Sequence, residues 1–252
     1  MEKIIKDSTN MKRATTMVGR ISKKKKRVVT TIDRMPKELI GEVLARVASA
    51  SFTDMFSAKL SCKTFHQVAE DRYIYKHVSL NNFPIVAWSP LNEMQQVFLT
   101  KCEECENPNL IFRQAVVDYF GGEQLESRLI IRRLDKAIQL GHIGAFYLRC
   151  ILLIFSGNNE LKERGVESLI NMKKCKKYGS DLRAYRDELI GILNMIWVEN
   201  SVLEDRPICC IMRDDHEKRR IWADINEDEA TYCEACDIDN EIRLISSFFP
   251  HL

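Results

Sequence analysis

The sequence predicts an all-α protein, and the spacing of its apolar residues is the main reason. From residue 35 onward, apolar side chains recur at intervals of three and four residues in one stretch after another, as on one face of a helix. Two similar apolar runs, near 110–120 and 145–155, lie 35 residues apart, a period typical of stacked helical hairpins. We therefore expect three helices at 33–80, antiparallel helical hairpins at 81–200 and a short irregular C-terminal segment at 201–252.

A basic segment precedes the first helix. Residues 1–32 contain ten Lys/Arg and two Asp/Glu without apolar periodicity, so we expect disorder there. Five consecutive basic residues resemble a monopartite nuclear localisation signal, although a solvated charge run would look the same. These residues are Lys23, Lys24, Lys25, Lys26 and Arg27. Because no signal peptide is recognisable and no apolar run is long enough to cross a membrane, we expect a soluble protein of the nucleus, the cytoplasm or both.

The three-helix unit begins with a proline followed by an amphipathic helix. Pro36 suits the first turn, because its missing N–H needs no partner there. Apolar residues continue at helical spacing to Val47, a second helix is expected from residue 53 or 54, and a third passes through Phe65. Three short helices cannot bury this much apolar surface among themselves, so part of it should contact a partner.

The segment at 33–78 resembles an F-box, whose pattern is Leu-Pro-x-Glu/Asp-Leu-x-x-x-Ile-Leu, followed after a gap by Leu-x-x-x-x-x-Val/Ser-Cys/Ser-Lys-x-Trp/Phe. Met35 replaces the opening leucine, and Phe65 stands where many members carry tryptophan. The matching positions are Pro36, Glu38, Leu39, Val43, Leu44, Ser61, Cys62, Lys63 and Phe65. The resemblance implies docking on a Skp-family adaptor and, through it, on a cullin scaffold, while the rest of the chain recruits a target for ubiquitination.

The resemblance also implies which side chains dock. They should be apolar, because buried apolar surface supplies much of the binding free energy and a few residues usually dominate it. Pro36 and Leu39 should be mainly interfacial, while Val43 and Phe65 should mainly hold the three helices together. The complete set is Met35, Pro36, Leu39, Ile40, Val43, Leu44, Leu60 and Phe65.

The second apolar run resembles the Sel-type, tetratricopeptide-like repeat, in which small residues let two antiparallel helices approach closely. The matching residues are Ala137, Gly141, Ala145 and Tyr147, with Gly165 and Leu169 expected in the companion helix. Only two repeat units are clear, so we expect the F-box-like unit and a helix near 189–197 to cap the stack. Together with an Asn107-Pro108 element and a cysteine-bearing acidic segment at 201–252, this unit is similar to a group of plant-type F-box proteins.

Nine cysteines raise the question of a metal site. An intracellular setting favours thiols over disulfides, and zinc takes four ligands, usually Cys or His. Four candidates lie within 28 residues: Cys209 or its neighbour Cys210, then His216, Cys233 and Cys236. Their spacing matches no standard zinc finger, so unrelated thiols in a loosely packed segment are the alternative. Two CxxC pairs are present, Cys102 with Cys105 and Cys233 with Cys236, and the acidic neighbours of both disfavour redox chemistry.

No combination of residues indicates catalysis. The five histidines form no triad with a Ser or Cys, adjacent carboxylates are typical of acidic surface, and no phosphate-binding loop is present. We expect neither an enzyme nor a cofactor, and neither a nucleic-acid nor a membrane partner.

The first hypothesis is therefore a non-enzymatic substrate adaptor of a Skp–cullin–F-box ubiquitin ligase. One alternative is a nuclear nucleic-acid-associated protein with a basic arm and a small zinc site, which the acidic balance of the remaining chain disfavours. The other is a helical-repeat scaffold with a vestigial F-box.

Overall fold

The structure, a computed structural model, describes residues 31–81, 83–84, 91–121, 127–175, 181–196, 207–212 and 233–249. The chain divides into two compact units, residues 1–35 and 36–252. The described part of the first unit contains one 3₁₀ turn, Thr31–Arg34. The predicted nuclear localisation signal at 23–27 lies outside the described residues.

The second unit consists of helices and loops in its described part, which confirms the all-α prediction. It contains no strand within the described ranges, and none of its helices is long and apolar enough to cross a membrane. The helices are α1 (Lys37–Ala50), α2 (Phe52–Ser61), α3 (Lys63–Val68), α4 (Arg72–His77), α5 (Glu93–Glu104), α6 (Pro108–Phe120), α7 (Ser127–Gln139), α8 (Ile143–Ile154), α9 (Asn159–Lys174), α10 (Leu182–Leu193) and α11 (Glu234–Ser246).

The three helices of the first predicted domain are present, and local caps decide where they begin. Pro36 occupies the position before α1. The Ser51 hydroxyl accepts a hydrogen bond from the backbone N–H of Asp54 and starts α2. The Cys62 sulfur accepts one from the backbone N–H of Phe65 and starts α3. The aromatic segment after them forms a fourth helix, α4, which packs against α1.

The repeat region consists of two helical hairpins, α6–α7 and α8–α9, and α10 packs against both α6 and α8. Pro108 begins α6 and Ile143 begins α8, so the structural period is the predicted 35 residues. At Gly165, α9 approaches α8 so closely that a Cβ atom would lie 2.9 Å from the carbonyl oxygen of Cys150. The predicted Sel-type residues that are fully buried are Ala137, Ala145, Tyr147 and Leu169.

A buried asparagine joins the repeat region to the three-helix unit. Asn107 caps α6, where its Oδ1 accepts a hydrogen bond from the backbone N–H of Leu110. Its Nδ2 donates to the carbonyl oxygens of Tyr75 and Val78, at the end of α4. One side chain therefore satisfies backbone groups on both sides of the junction.

Buried Arg113 of α6 adds further hydrogen bonds between the repeat region and the segment that follows α4. Its guanidinium is buried and donates hydrogen bonds to the carbonyl oxygens of Leu80 and Phe83. Burial lowers the pKa of Arg113 to about 10, which still leaves the group charged at neutral pH. The segment after α4 is thus fastened to α6 by charge-assisted hydrogen bonds.

The C-terminal segment, expected to be irregular, contributes a core helix, α11. Glu241 of this helix is buried, and its carboxylate accepts hydrogen bonds from the Tyr147 hydroxyl at 2.7 Å and from Arg186 at 2.6 Å. The acidic composition obscured a helical apolar pattern at 238, 242 and 245. The isoleucines that this pattern buries completely are Ile238, Ile242 and Ile245.

Candidate docking surface and thiol cluster

Helix α1 carries two apolar pairs, of which only one is buried. Ile40 and Leu44, one turn apart, are 2% and 1% exposed in the core of the three-helix unit. Leu39 and Val43, also one turn apart, are 55% and 51% exposed. The two pairs lie on neighbouring faces of the helix. The face with Ile40 and Leu44 packs into the core, and the face with Leu39 and Val43 remains exposed. Leu39 and Val43 form an apolar stripe on the outer face of α1.

These positions change the predicted docking set. Ile40 and Leu44 are buried in the chain's own core, so no partner can reach them without unfolding α1. Val43, expected to be mainly structural, is exposed because it follows Leu39 by one turn. Phe65 is half-buried and packs against the core of the unit. The other exposed members of the set are Met35, Pro36 and Leu60.

Hydrogen-bonding groups flank the apolar stripe. The Glu42 carboxylate accepts hydrogen bonds from Arg46 at 3.2 Å and from the Tyr73 hydroxyl of α4 at 3.0 Å. The hydrogen bond to Glu42 raises the pKa of Tyr73 above its usual range. The Tyr73 ring lies against His77, with the ring centroids 4.3 Å apart. An apolar stripe with a polar rim is typical of protein interfaces.

An ion-pair network fastens the three-helix unit to α5. Glu70 accepts hydrogen bonds from Lys59 of α2 and, at 2.5 Å, from Lys101 of α5. Partial burial alone would raise the pKa of Glu70, but the hydrogen bonds from Lys101 and Lys59 outweigh it and lower that pKa to about 2. The carboxylate is therefore charged at neutral pH, so both ion pairs are present there.

A groove of about 480 Å³ lies between α9 and residues 207–212. Its lining mixes both charges with apolar groups, since it includes Lys162, Glu163 and Ile211. Lys162 donates a 2.6 Å hydrogen bond to the carbonyl oxygen of Ile208, which holds residues 207–212 against α9. Ile211 is 96% exposed at the edge of this groove. The size and mixed lining of this groove make it a candidate binding surface for a peptide segment of another protein.

Three cysteine thiols meet at the start of α11. The sulfur atoms of Cys210, Cys233 and Cys236 all lie within 4.8 Å of one another. Cys209, one of the two alternatives that the sequence offers for the first ligand, is not part of this group, and its neighbour Cys210 takes that place. The remaining predicted ligand, His216, lies outside the described residues.

A buried carboxylate explains why Cys210 rather than Cys209 joins the group. Asp239 of α11 accepts the backbone N–H of Cys209 at 2.7 Å and that of Cys210 at 3.1 Å. This register brings the Cys210 sulfur to 3.7 Å from that of Cys233. Burial raises the pKa of Cys209 to about 12, so this thiol stays protonated at neutral pH. The sequence carried no local signal for Asp239, because it acts across a gap of about 30 residues.

The chain is similar to plant proteins of two kinds. Residues 80–193, which contain α5 to α10, match the family model described as plant tetratrico peptide repeats. The candidate F-box protein At1g67623 of Arabidopsis thaliana is 25% identical over 187 residues, which cover 73% of this chain and 61% of that protein. The F-box protein At2g35280 of the same species is 23% identical over 133 residues, which cover 52% of this chain and 78% of that protein. This chain thus spans less than two thirds of the first relative. No solved structure matches the chain.

Proposed function

We propose that this chain is a non-enzymatic substrate-recognition adaptor of a Skp–cullin–F-box ubiquitin ligase. On this proposal, the outer face of α1 docks on a Skp-family adaptor, and the helical repeats recruit the target protein. The observation that carries the proposal is the exposure of Leu39 and Val43, two positions at which the F-box pattern has apolar residues. Similarity to two proteins named as F-box proteins supports it.

The exposed apolar residues are large enough to contribute to docking. Fully burying an aliphatic side chain of this size contributes ~1.5–3 kcal/mol. Leu39 and Val43 are already about half buried, so a partner that covered them would gain about half of that free energy from each. Leu60 of α2 is 83% exposed and would gain more. A few such residues are sufficient, because interface free energy is usually concentrated in a small number of side chains.

The junction at Asn107 and Arg113 suits an adaptor. Both side chains are buried and hydrogen-bond across the boundary between the three-helix unit and the repeats. A fixed boundary would hold a bound target at a constant position relative to the docking face. Ubiquitin transfer between proteins depends on such positioning, because holding reactants in place lowers the entropic part of the barrier. The groove beside α9 is a candidate for the target-binding surface.

A pull-down with a purified plant Skp-family adaptor tests the docking step. Leu39→Asp should reduce recovery about tenfold or more, because it places an uncompensated charge at an apolar interface. Its thermal unfolding should match the wild type, since Leu39 is exposed. Met94→Asp on α5, at a residue 80% exposed, is the matched control and should bind normally. Failure of the wild-type chain to bind, or equal binding by Leu39→Asp, would overturn the proposal.

A further inference from the structure

The three thiols at the start of α11 have the spacing of metal ligands. A tetrahedral Zn²⁺ ion with Zn–S bonds of about 2.3 Å separates its sulfur ligands by about 3.8 Å. The Cys210 and Cys233 sulfur atoms are 3.7 Å apart, and Cys236 completes a group within 4.8 Å. A disulfide requires sulfur atoms about 2.05 Å apart, so this separation fits three reduced cysteines around a common centre.

The fold positions these thiols through contacts that do not involve a metal. Cys233 occupies the N-cap position of α11 and Cys236 lies in its first turn, so the helix itself brings two sulfur atoms together. Cys210 arrives from a separate segment, which Asp239 holds through two backbone hydrogen bonds. Asp239 is buried, which indicates a fixed anchor. Ligands held by such outer contacts are pre-organised for binding.

Helix α11 is itself fixed to the repeat region near the cluster. Lys173 of α9 pairs with Asp237, and Lys174 pairs with Glu234 at 2.6 Å. Residues 207–212 are held to α9 by Lys162 as well. The cluster therefore lies where α9, α11 and residues 207–212 meet, and a shared ion would join the latter two elements directly.

We propose that Cys210, Cys233 and Cys236 bind a structural Zn²⁺ ion as three thiolate ligands. Thiolate ligands favour zinc among the abundant divalent ions, whereas Mg²⁺ and Ca²⁺ prefer oxygen. On binding, each thiol releases a proton and forms one Zn–S bond, so no oxidant or reductant is needed. The fourth position of the tetrahedron is taken by a ligand outside this group. The ion would fix the wall of the groove beside α9.

Zinc content of the purified full-length chain tests this proposal. Protein prepared without chelators should contain about one zinc per chain by elemental mass spectrometry. Cys210→Ser, Cys233→Ser and Cys236→Ser should each lose most of this zinc. Cys209→Ser is the matched control, because it changes the adjacent thiol that lies outside the cluster, and it should keep the zinc.

A second measurement on the wild-type chain applies even where a serine variant fails to fold. Cobalt(II) added to chelator-treated protein should give the thiolate charge-transfer and visible absorption of a tetrahedral site, and zinc should displace it. Absence of zinc and of this cobalt spectrum would overturn the proposal. An intact mass two hydrogens below that of the fully reduced chain would indicate a disulfide and would also overturn it. Zinc loss in Cys209→Ser equal to that in the three ligand variants would do the same.

Discussion

Asn107 donates a hydrogen bond from Nδ2 to the carbonyl oxygen of Tyr75 at 2.7 Å, and this contact joins two parts of the chain with different predicted roles. Tyr75 belongs to α4, which packs against α1 of the three-helix unit, while Asn107 caps the first helix of the repeats. The same amide donates to Val78 at 2.8 Å. Because Asn107 is fully buried, these groups would be left unpaired without it. We infer that the two parts unfold together.

Replacing this asparagine should therefore be costly. Asn107→Ala removes the cap of α6 and leaves the carbonyl oxygens of Tyr75 and Val78 without this hydrogen-bond donor. The free energy of unfolding should therefore fall by ~2–4 kcal/mol. Urea denaturation followed by circular dichroism measures this change. Asn92→Ala removes the exposed cap of α5 and should cost only ~1 kcal/mol. If Asn107→Ala and Asn92→Ala lowered the free energy of unfolding equally, the buried hydrogen bonds to Tyr75 and Val78 would contribute nothing to stability.

The close approach of α9 to α8 makes Gly165 intolerant of a side chain. A Cβ atom there would lie 2.9 Å from the Cys150 carbonyl oxygen and 3.0 Å from the backbone nitrogen of Ile154, neither of which can move freely. Gly165→Ala should lower the free energy of unfolding by ~1–3 kcal/mol.

Gly191 of α10 is the matched control for this prediction. Apart from its chain neighbours and the nearby backbone of α10 itself, a Cβ atom at Gly191 would meet nothing within 4 Å. Gly191→Ala should therefore raise the free energy of unfolding by ~0.5–1 kcal/mol, because alanine loses less backbone entropy in a helix. Thermal denaturation distinguishes the two variants by the sign of the shift. A loss in both would mean that α10 is more tightly packed than the structure shows.

Acid should weaken the Glu70 network in a defined pH window. The pKa of Glu70 falls from 4.5 to about 2 on folding, so its charge stabilises the folded state above pH 4.5. That stabilisation is lost as the pH falls from 4.5 towards 2. Glu70→Gln should cost up to about 1 kcal/mol at neutral pH, since the group is partly exposed and screened by solvent. It should also flatten the acid limb of a stability–pH curve, whereas Glu167→Gln, on the exposed side of α9, should not.

Local patterns predicted the helices and their order well, because caps and apolar spacing act within a few residues. The repeat period followed from the similarity between two segments of the sequence, and the close approach at Gly165 followed from the resemblance to the Sel-type repeat. The sequence did not predict the exposure of Val43 or the burial of Ile40, because both residues fit the same helical pattern. Which of them faces the core depends on how α1 packs against α2 and α4, and no short stretch of sequence specifies that packing.

The thiol cluster also depends on a contact between segments that are distant in the sequence, and such contacts cannot be predicted from local patterns. The CxxC spacing predicted that Cys233 and Cys236 would lie close together, but not that the first turn of a helix would hold them. The choice between Cys209 and Cys210 is made by Asp239, which fixes the register of the distant segment. Helix α11 was missed because its acidic residues suggested an exposed segment, although one of them, Glu241, is buried against Tyr147.

The two apolar pairs of α1 provide the most direct test of docking through its outer face. Val43→Ala should weaken binding to a purified Skp-family adaptor by roughly three- to tenfold and change the free energy of unfolding by less than ~0.5 kcal/mol. Leu44→Ala should lower the free energy of unfolding by ~2–5 kcal/mol, while the folded fraction keeps its affinity. Titration calorimetry gives the dissociation constant of each variant. Weaker binding by folded Leu44→Ala together with unchanged binding by Val43→Ala would contradict docking through the outer face of α1.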